Sequence, residues 1–260
     1  MIKFFRHIRQ NLIMENNMGK YFKYTIGEIL LVVIGILIAL QINNWNEVRK
    51  SENNKQKLMI ALKKEFLINK KTLEKHSLGL HKNNSQLNKV INYSAGTIDL
   101  PIDSLRLYAS NLTYETRLSM LNSVLEEAIS PSKFEMLSDS LKQTLSLLKD
   151  FLTSRNDLSK IGVDILYNKN GLNTDFMLTI NAFKENNNER FYVQPPISMH
   201  PDFIKSDVEF INYIKSSKTY EKLHQAYYFS KLDEVWITFG LLGLTNQTIN
   251  LLERELKDND

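Results

Sequence analysis

The first pattern along the chain is a run of apolar residues, GEILLVVIGILIALQINNW, from Gly27 to Trp45. As a helix, the stretch from Ile26 to Ile42 is about 26 Å long, and the stretch from Tyr24 to Trp45 is about 33 Å long. The hydrocarbon core of a bilayer is about 30 Å thick. The pattern therefore predicts a single transmembrane helix over residues 24–45.

A cleaved signal peptide and a buried core helix are the alternatives to a permanent membrane anchor. A signal peptide has a shorter apolar region and a cleavage site of small residues, whereas this run ends in IALQINN. We therefore favour the permanent anchor. Residues that prefer the headgroup level flank the run and are expected to fix it at the interface: Lys20, Tyr21, Lys23, Tyr24 and Trp45.

One face of this helix carries its small and acidic residues. Glu28, Gly35 and Ile42 are seven residues apart, and Val32 and Ala39 lie beside them. Small residues four apart let two helix backbones approach closely, so this face predicts packing against a second copy or a partner helix. The alternative, which we favour, is that glycine and alanine are common in membrane helices and that Glu28 extends to the headgroups.

After the anchor, residues 46–93 predict one long helix with two seven-residue rows. The first row is apolar: Met59, Phe66, Leu73, Leu80 and Leu87. The second row is polar in its middle: Leu62, Asn69, His76, Asn83 and Val90. A coiled coil prefers apolar residues in both rows, so the pattern favours a helix of a bundle. A stalk packed on one neighbouring helix and a dimer with a polar seam are the alternatives.

The remaining residues, 94–260, predict a helical bundle domain, because 9 glycines and 5 prolines in 260 residues leave room for long helices. The fold class expected for the whole chain is therefore all-α. Turn residues and helix-capping residues separate six predicted helices in this domain. They begin near Asp103 or Ser104, Thr116, Ser138 or Asp139, Asp175, Ser206 or Asp207, and Thr219, and they end near Leu112, Ile129, Asn170, Lys184, Tyr213 and Lys257. Residues 130–132 are predicted to turn the chain between the second and third of these helices.

Two segments of this domain have alternative interpretations. Residues 185–202 form the longest stretch without a helical pattern, and Phe191, Tyr192, Pro195 and Pro196 make it a candidate partner-binding loop. A plain connector is the alternative that we favour. The apolar stretch 235–244 is too short to span a bilayer, so it is expected in the core, with a membrane hairpin as the alternative.

Most of the net positive charge lies before the bundle domain. The net charge is +4; five cations and two acids before residue 46 give +3, and the other 28 cations and 27 acids give +1. A nucleic-acid-binding surface needs basic residues concentrated on the folded domain, so no nucleic-acid partner is expected.

Residues 1–23 have the period of a basic amphipathic helix, which suits the anionic cytoplasmic leaflet. Because long domains translocate largely regardless of charge, we expect the N-terminus in the cytoplasm and the C-terminal domain outside the inner membrane.

The sequence contains no recognisable catalytic or metal-binding arrangement. It has no cysteine, and its 5 histidines are scattered. His76 and His81 are five residues apart, so they point in different directions from a helix. The acidic pairs Glu126–Glu127 and Asp233–Glu234 are interpreted as solvated faces or caps. We therefore expect no cofactor and no catalytic activity.

The stretch KYFKYTIGEILLVVIGILIALQINNWNEVRK, from Lys20 to Lys50, resembles the N-terminal signature of an uncharacterised family of single-pass membrane proteins of Bacteroidota. The segment from Ser119 to Leu148 is similar to the middle of that family, although residues 130–132 replace a more typical Ser-Ser-Gly-like turn. The resemblance implies an inner-membrane protein with an extracytoplasmic helical domain. It implies no activity, so no catalytic residue is carried over.

The sequence thus predicts a membrane-anchored module for protein–protein interaction or scaffolding at the cell envelope. Its expected partners are the lipid bilayer and an envelope protein or a second copy of the chain. A sensor that passes a signal through the long helix to a separate protein is the first alternative, and an enzyme with an unrecognised site is the second.

Overall fold

The structure, a computed structural model, describes residues 18–109, 118–167 and 206–258, and within these ranges it contains helices and no strand. A π-helical segment, Trp236–Leu241, joins the last two helices. The α-helices in chain order are α1 Met18–Ser94, α2 Ile102–Ala109, α3 Ser123–Ala128, α4 Pro131–Phe134, α5 Asp139–Tyr167, α6 Asp207–Lys215, α7 Ser217–Val235 and α8 Leu242–Lys257. The predicted all-α fold, a long N-terminal helix followed by a helical bundle, is confirmed.

The chain forms two compact units, Met1–Lys57 and Leu58–Asp260. The division falls inside α1, twelve residues beyond the predicted end of the transmembrane segment at Trp45. We call the second unit the helical domain.

The helical domain is built around the two seven-residue rows of α1. All five residues of the apolar row are buried, and so are Leu62, Asn69 and Val90 of the second row. Three apolar clusters follow one another along the helix. The first joins residues 58–66 of α1 to α3, α5 and α8, the second joins Leu73 and Leu80 to the π-helical segment, and the third joins residues 87–93 to α2, α6 and α7. The pattern of a bundle helix, favoured from the sequence, is therefore what the structure contains.

Polar residues of α1 also fix where α3 begins. The Glu65 carboxylate accepts hydrogen bonds from the backbone N–H groups of Val124 at 2.9 Å and Leu125 at 3.0 Å. The Asn69 side chain pairs with the backbone of Leu121, donating to its carbonyl oxygen at 2.7 Å and accepting from its N–H at 2.9 Å. Buried backbone groups need such partners, so α1 supplies the cap of a helix that has no side-chain cap of its own.

The boundaries of the short helices differ in part from those predicted. The helix predicted over residues 116–129 is wrong for 118–122, which are not helical. At Leu121 both backbone groups pair with the Asn69 side chain instead of with helical partners. The turn predicted at 130–132 includes a one-turn helix, α4, with Pro131 at its first position. By contrast, the start predicted at Ser206 or Asp207 is confirmed with Ser206 as the cap: Ser206 and Glu209 form a capping box at the beginning of α6.

The terminal helix predicted as one unbroken element from Thr219 to Lys257 is wrong in its middle, where the π-helical segment widens the turns. Asp233, Ile237, Leu241 and Thr245 are all buried and follow one another at intervals of four residues. In an α-helix with 3.6 residues per turn, each such interval rotates the side chain by about 40°. The four side chains would then be spread over about 120° and could not all face the core. Wider π turns keep them on one side. Ile237 and Leu241 lie in the core, as predicted for this apolar stretch.

Candidate functional site

Two features of the described residues stand out as candidates for function. The first is α1, a helix that by length and composition is long and apolar enough to cross a membrane; its apolar stretch, residues 26–42, is called the apolar segment below. None of its membrane-length window is buried within the chain. Its large apolar side chains are between 44% and 63% exposed: Ile26, Ile29, Leu30, Leu31, Val32, Val33, Ile34, Ile36, Leu37, Ile38, Leu40 and Ile42. One helix of this kind in the described residues is consistent with a membrane protein, and a signal sequence near the N-terminus passes the same criterion.

The face of the apolar segment predicted for helix packing is open in the single chain. Val32, Gly35, Ala39 and Ile42 are all exposed, and a Cβ atom added at Gly35 would meet nothing within 4 Å. Glu28, one turn inside the segment, is half-buried. The geometry is compatible with a close approach of a second helix at Gly35, and with a helix surrounded by lipid.

Of the predicted interface anchors, Trp45 and Lys23 are exposed. The Arg49 guanidinium lies over the Trp45 ring, 5.4 Å from the ring centroid, so a cation and an aromatic ring occur together at this end of the apolar segment. Lys20, Tyr21 and Tyr24 belong to the first turns of α1, and their side chains lie outside the described residues.

Other predicted features lie wholly outside the described residues. These are the amphipathic tail before Met18, the helix predicted over residues 175–184, and the candidate partner loop 185–202 with Phe191, Tyr192, Pro195 and Pro196.

The second candidate is a buried ionic cluster in the helical domain, formed by Arg155, Asp233, Glu234 and Asn84. Arg155 of α5 donates two parallel hydrogen bonds to the Asp233 carboxylate of α7: Nε to Oδ1 at 2.7 Å and Nη2 to Oδ2 at 2.8 Å. The two side chains are only 2% and 4% exposed. A bidentate, charge-assisted pair in such a site is strong and geometrically specific, and it ties α5 to α7.

Glu234, the neighbour of Asp233, ties α7 to α1. Its carboxylate accepts hydrogen bonds from Asn84 Nδ2 at 2.7 Å and from Lys231 Nζ at 2.9 Å, and it pairs with His81 Nδ1 at 2.9 Å. Burial alone would raise the pKa of Glu234, but the hydrogen bonds from Asn84, Lys231 and His81 outweigh it and hold the pKa below the ordinary 4.5. The prediction that Asp233 and Glu234 form a solvated face or cap is therefore wrong. Because their directions differ by about 100° around α7, each carboxylate reaches a different neighbouring helix.

His76 lies at the edge of this cluster, in the polar middle of the second row of α1. Burial lowers its pKa below the ordinary 6.5, and the positive charge of Arg155 lowers it further, against a smaller opposite effect of Asp233. The ring is therefore neutral at pH 7. Its Nε2 atom is buried and has no hydrogen-bond partner among the described residues. A neutral imidazole beside a buried guanidinium makes the domain sensitive to acid.

We expect the stability of the domain to fall as the pH drops below about 6.5. The folded state resists protonation of His76 and the unfolded state accepts it, so acid favours the unfolded state. The variant His76→Gln should show a smaller loss of melting temperature between pH 7.5 and 5.5 than the parent protein, measured by thermal denaturation. The matched control is His224→Gln at an exposed position of α7; its pH profile should equal that of the parent. Identical profiles for the parent and His76→Gln would contradict this prediction.

The π-helical segment follows the ionic cluster directly and packs against α5. The rings of Phe151 and Trp236 have centroids 4.9 Å apart at a tilt of 53°. Gly240 faces the same phenylalanine: an added Cβ would lie 2.7 Å from two of its ring carbons. π-Helical turns within longer helices frequently occur at functional sites. This segment begins two residues after Glu234, beside the ionic cluster.

The substitution Gly240→Ala should destabilise the domain by about 1–3 kcal/mol, because the Phe151 ring must shift and disturb its packing on Trp236. Gly243→Ala is the matched control three residues later in α8. No atom lies within 4 Å of its added Cβ, so this change should be neutral or stabilise by about 0.5–1 kcal/mol. Chemical denaturation of both variants measures the difference. Equal effects of the two substitutions would show that the close approach at Gly240 does not constrain the fold.

The arrangement of these residues favours a structural role for the cluster. Among the described residues, no group of three or more His, Asp or Glu side chains could hold a metal ion. His76 and His81 have separate surroundings, as their spacing predicted. The cluster joins α1, α5 and α7 through hydrogen bonds between buried side chains. From the sequence, the polar middle of the second row was the signal that could have located it.

Comparison with models of known protein families gives a match over part of the chain. Residues 28–101 match the model of a family described as a family of unknown function (DUF6090). The match takes in most of α1 and the break after it, and it supports the expectation of an uncharacterised domain family. Neither a curated protein nor a solved structure matches the chain.

Proposed function

We propose that the chain is a single-pass protein of the inner membrane that presents its helical domain on the extracytoplasmic side for protein–protein interaction or scaffolding. In this proposal the apolar segment is a permanent anchor, residues 1–23 remain in the cytoplasm, and the protein performs no catalysis. The finer part of the resemblance, to single-pass membrane proteins of Bacteroidota, agrees with this arrangement.

The single observation that carries the proposal is the exposure of the apolar segment. Twelve large apolar side chains between Ile26 and Ile42 lie on the surface of α1, all around the helix. Burying such side chains stabilises by about 1.5–3 kcal/mol each, so leaving them in water costs on the order of 20 kcal/mol. A helix that is apolar on all sides needs an apolar surrounding, and its length fits a bilayer.

An interaction role for the helical domain is supported by aromatic side chains on its surface. Phe239 of the π-helical segment is 77% exposed. Tyr228 and Val235 of α7 are also exposed and seven residues apart, on one side of that helix. Aromatic residues are enriched where proteins contact each other, so this surface suits a protein partner better than it suits water.

Sidedness is tested by reporters fused to the C-terminus. We expect alkaline phosphatase to be active there and a fluorescent protein that folds only in the cytoplasm to be dark. The same reporters placed after Met18 provide the opposite control. A fluorescent C-terminal fusion with inactive phosphatase would overturn the orientation and leave the membrane anchor intact.

A sensor is the second candidate, and the continuity of α1 favours it. One helix carries both the apolar segment and Asn84, which bonds to Glu234 in the ionic cluster. A ligand that alters the cluster would act on the same helix that crosses the membrane, and the output would come from a separate protein. A thermal-shift screen of small polar ligands with the full chain tests this: a ligand whose effect disappears in Asn84→Ala supports sensing, and no shift speaks against it.

A further inference from the structure

The net charge of the helical domain is close to zero, but its positive and negative residues are unevenly distributed along the chain. Residues 58–94 of α1 contain seven lysines and two acids, a balance of +5. Residues 95–260 contain 17 cations and 23 acids, a balance of −6. The excess positive charge therefore belongs to one helix of the domain and the excess negative charge to the rest of it.

The outer face of α1 carries a basic stripe. It consists of Ile60, Lys64, Leu67, Lys71, Lys75 and Leu78, which are all exposed. At 3.6 residues per turn these six positions fall within an arc of about 80°, on the side of α1 opposite Leu62 and Asn69. Glu74 lies just outside this arc and is the one exposed acidic residue between positions 60 and 78. None of the three lysines makes an ion pair with another described residue.

The outer face of α5 carries an acidic stripe with the same construction. It consists of Leu147, Asp150, Asp157, Ile161 and Asp164, again all exposed. The three aspartates are seven residues apart, and Asp157 has only a surface pair with Lys160 at 2.8 Å. The stripe lies opposite the buried residues Leu141, Leu145 and Leu148 of α5. Two apolar side chains thus lie among the acids, as three lie among the lysines.

The two stripes match each other in length and spacing. From Ile60 to Leu78 the basic stripe is about 27 Å long, and from Leu147 to Asp164 the acidic stripe is about 26 Å long. Lys64 and Lys71 are seven residues apart, the spacing of the aspartates. Side chains at this spacing on two helices interdigitate when the helices pack at a small angle.

We propose that the helical domain binds a second copy of this chain by packing the basic stripe of α1 in one copy on the acidic stripe of α5 in the other. Packing of two basic stripes would bring lysines together, which excludes a symmetric contact through α1 alone. The buried faces of α1 and α5 meet in one cluster, so the two stripes, on the opposite faces of these helices, point away from each other. Two copies therefore cannot pair both stripes reciprocally, and the contact is head to tail and continues into a ring or a linear array. This inference rests on the proposed function in one respect: anchoring in one membrane raises the effective concentration of the copies.

The test uses the full chain in mild detergent and measures the size of its assemblies by light scattering and chemical crosslinking. We expect a series of assemblies larger than a dimer. The average size of these assemblies should fall at high salt, because exposed charges are screened there. Packing within the apolar segment involves no residue of either stripe, so it would not respond to the charge reversals described next. The basic-reversed variant, Lys64→Glu, Lys71→Glu and Lys75→Glu, should weaken the larger species about tenfold or more. The acid-reversed variant, Asp150→Lys, Asp157→Lys and Asp164→Lys, should do the same.

Mixing the two reversed variants is the decisive step. Each variant then finds an oppositely charged stripe on the other, so the larger species should return. The matched control, Lys218→Glu with Lys257→Glu, reverses two exposed lysines outside the stripe and should leave assembly unchanged. Circular dichroism checks that every variant remains folded.

Three results would overturn the inference: a wild-type chain no larger than a dimer, assemblies unaffected by either reversal, or no recovery on mixing. Binding of the wild-type chain to anionic vesicles that only the basic reversal abolishes would assign the stripe to lipid headgroups instead. If carbonate washing released the chain from membranes while the series of assemblies persisted, the membrane anchor would fail and the self-association would stand.

Discussion

The substitution Asp233→Leu is expected to destabilise the helical domain by about 3–5 kcal/mol, the largest effect that we expect from a single side chain. The reason is that Arg155 would keep its charge in a site where it is 2% exposed and would lose both hydrogen bonds to Asp233. A guanidinium cannot shed its proton at neutral pH, so its charge stays in a buried site without the carboxylate that Asp233 supplies. Chemical denaturation of the full chain, followed by circular dichroism, measures the loss.

The double variant Arg155→Met, Asp233→Leu is the matched control for this prediction. It removes both charges together and replaces them by apolar side chains of similar size, so it should recover most of the lost stability. If the double variant were as unstable as Asp233→Leu, the cost would come from altered packing between α5 and α7. If Asp233→Leu cost less than about 1 kcal/mol, the pair would not be buried as described.

The second large effect is expected from charge placed in the apolar segment. Ile34→Arg combined with Ile38→Arg puts two guanidinium groups near the middle of the segment, one turn apart. Each arginine at the centre of a transmembrane helix costs about 2.5–3.5 kcal/mol of insertion free energy. The pair should therefore shift much of the protein from the membrane fraction to the soluble or degraded fraction, measured by fractionation and immunoblotting.

Val48→Arg provides the control, because Val48 is exposed on α1 beyond Trp45 and close to Arg49. A charge at this level meets water or headgroups, so the protein should stay in the membrane fraction. Equal amounts of membrane-bound protein for the double arginine variant and for Val48→Arg would contradict the assignment of residues 26–42 to the bilayer.

The features that follow directly from local sequence pattern were predicted correctly. The apolar row of α1 could be recognised because a seven-residue period puts five side chains on one face of a helix. That face is the one that the structure buries. The start of α6 near Ser206 was predicted from a capping residue next to the helical pattern, and the capping box with Glu209 is a further local feature of this kind. The scarcity of glycine and proline agrees with the lengths of α1, α5 and α7.

The features that were missed depend on residues far apart in the chain. Asp233 and Glu234 resemble a solvated pair, and only Arg155 and Asn84, 78 and 150 residues away, explain why they are buried. The start of α3 depends in the same way on Glu65 and Asn69. A buried polar residue needs a partner, but the sequence does not say which one. The polar middle of the second row of α1 shows that partners exist without naming them.

The direct test of the central claim is alkaline carbonate extraction of membranes that contain the full chain, followed by intact-mass measurement of the recovered protein. We predict that the protein remains in the pellet and that its mass includes residues 26–42. Release into the supernatant, or a mature form that begins after Trp45, would contradict the claim that the apolar segment anchors the helical domain permanently in a bilayer.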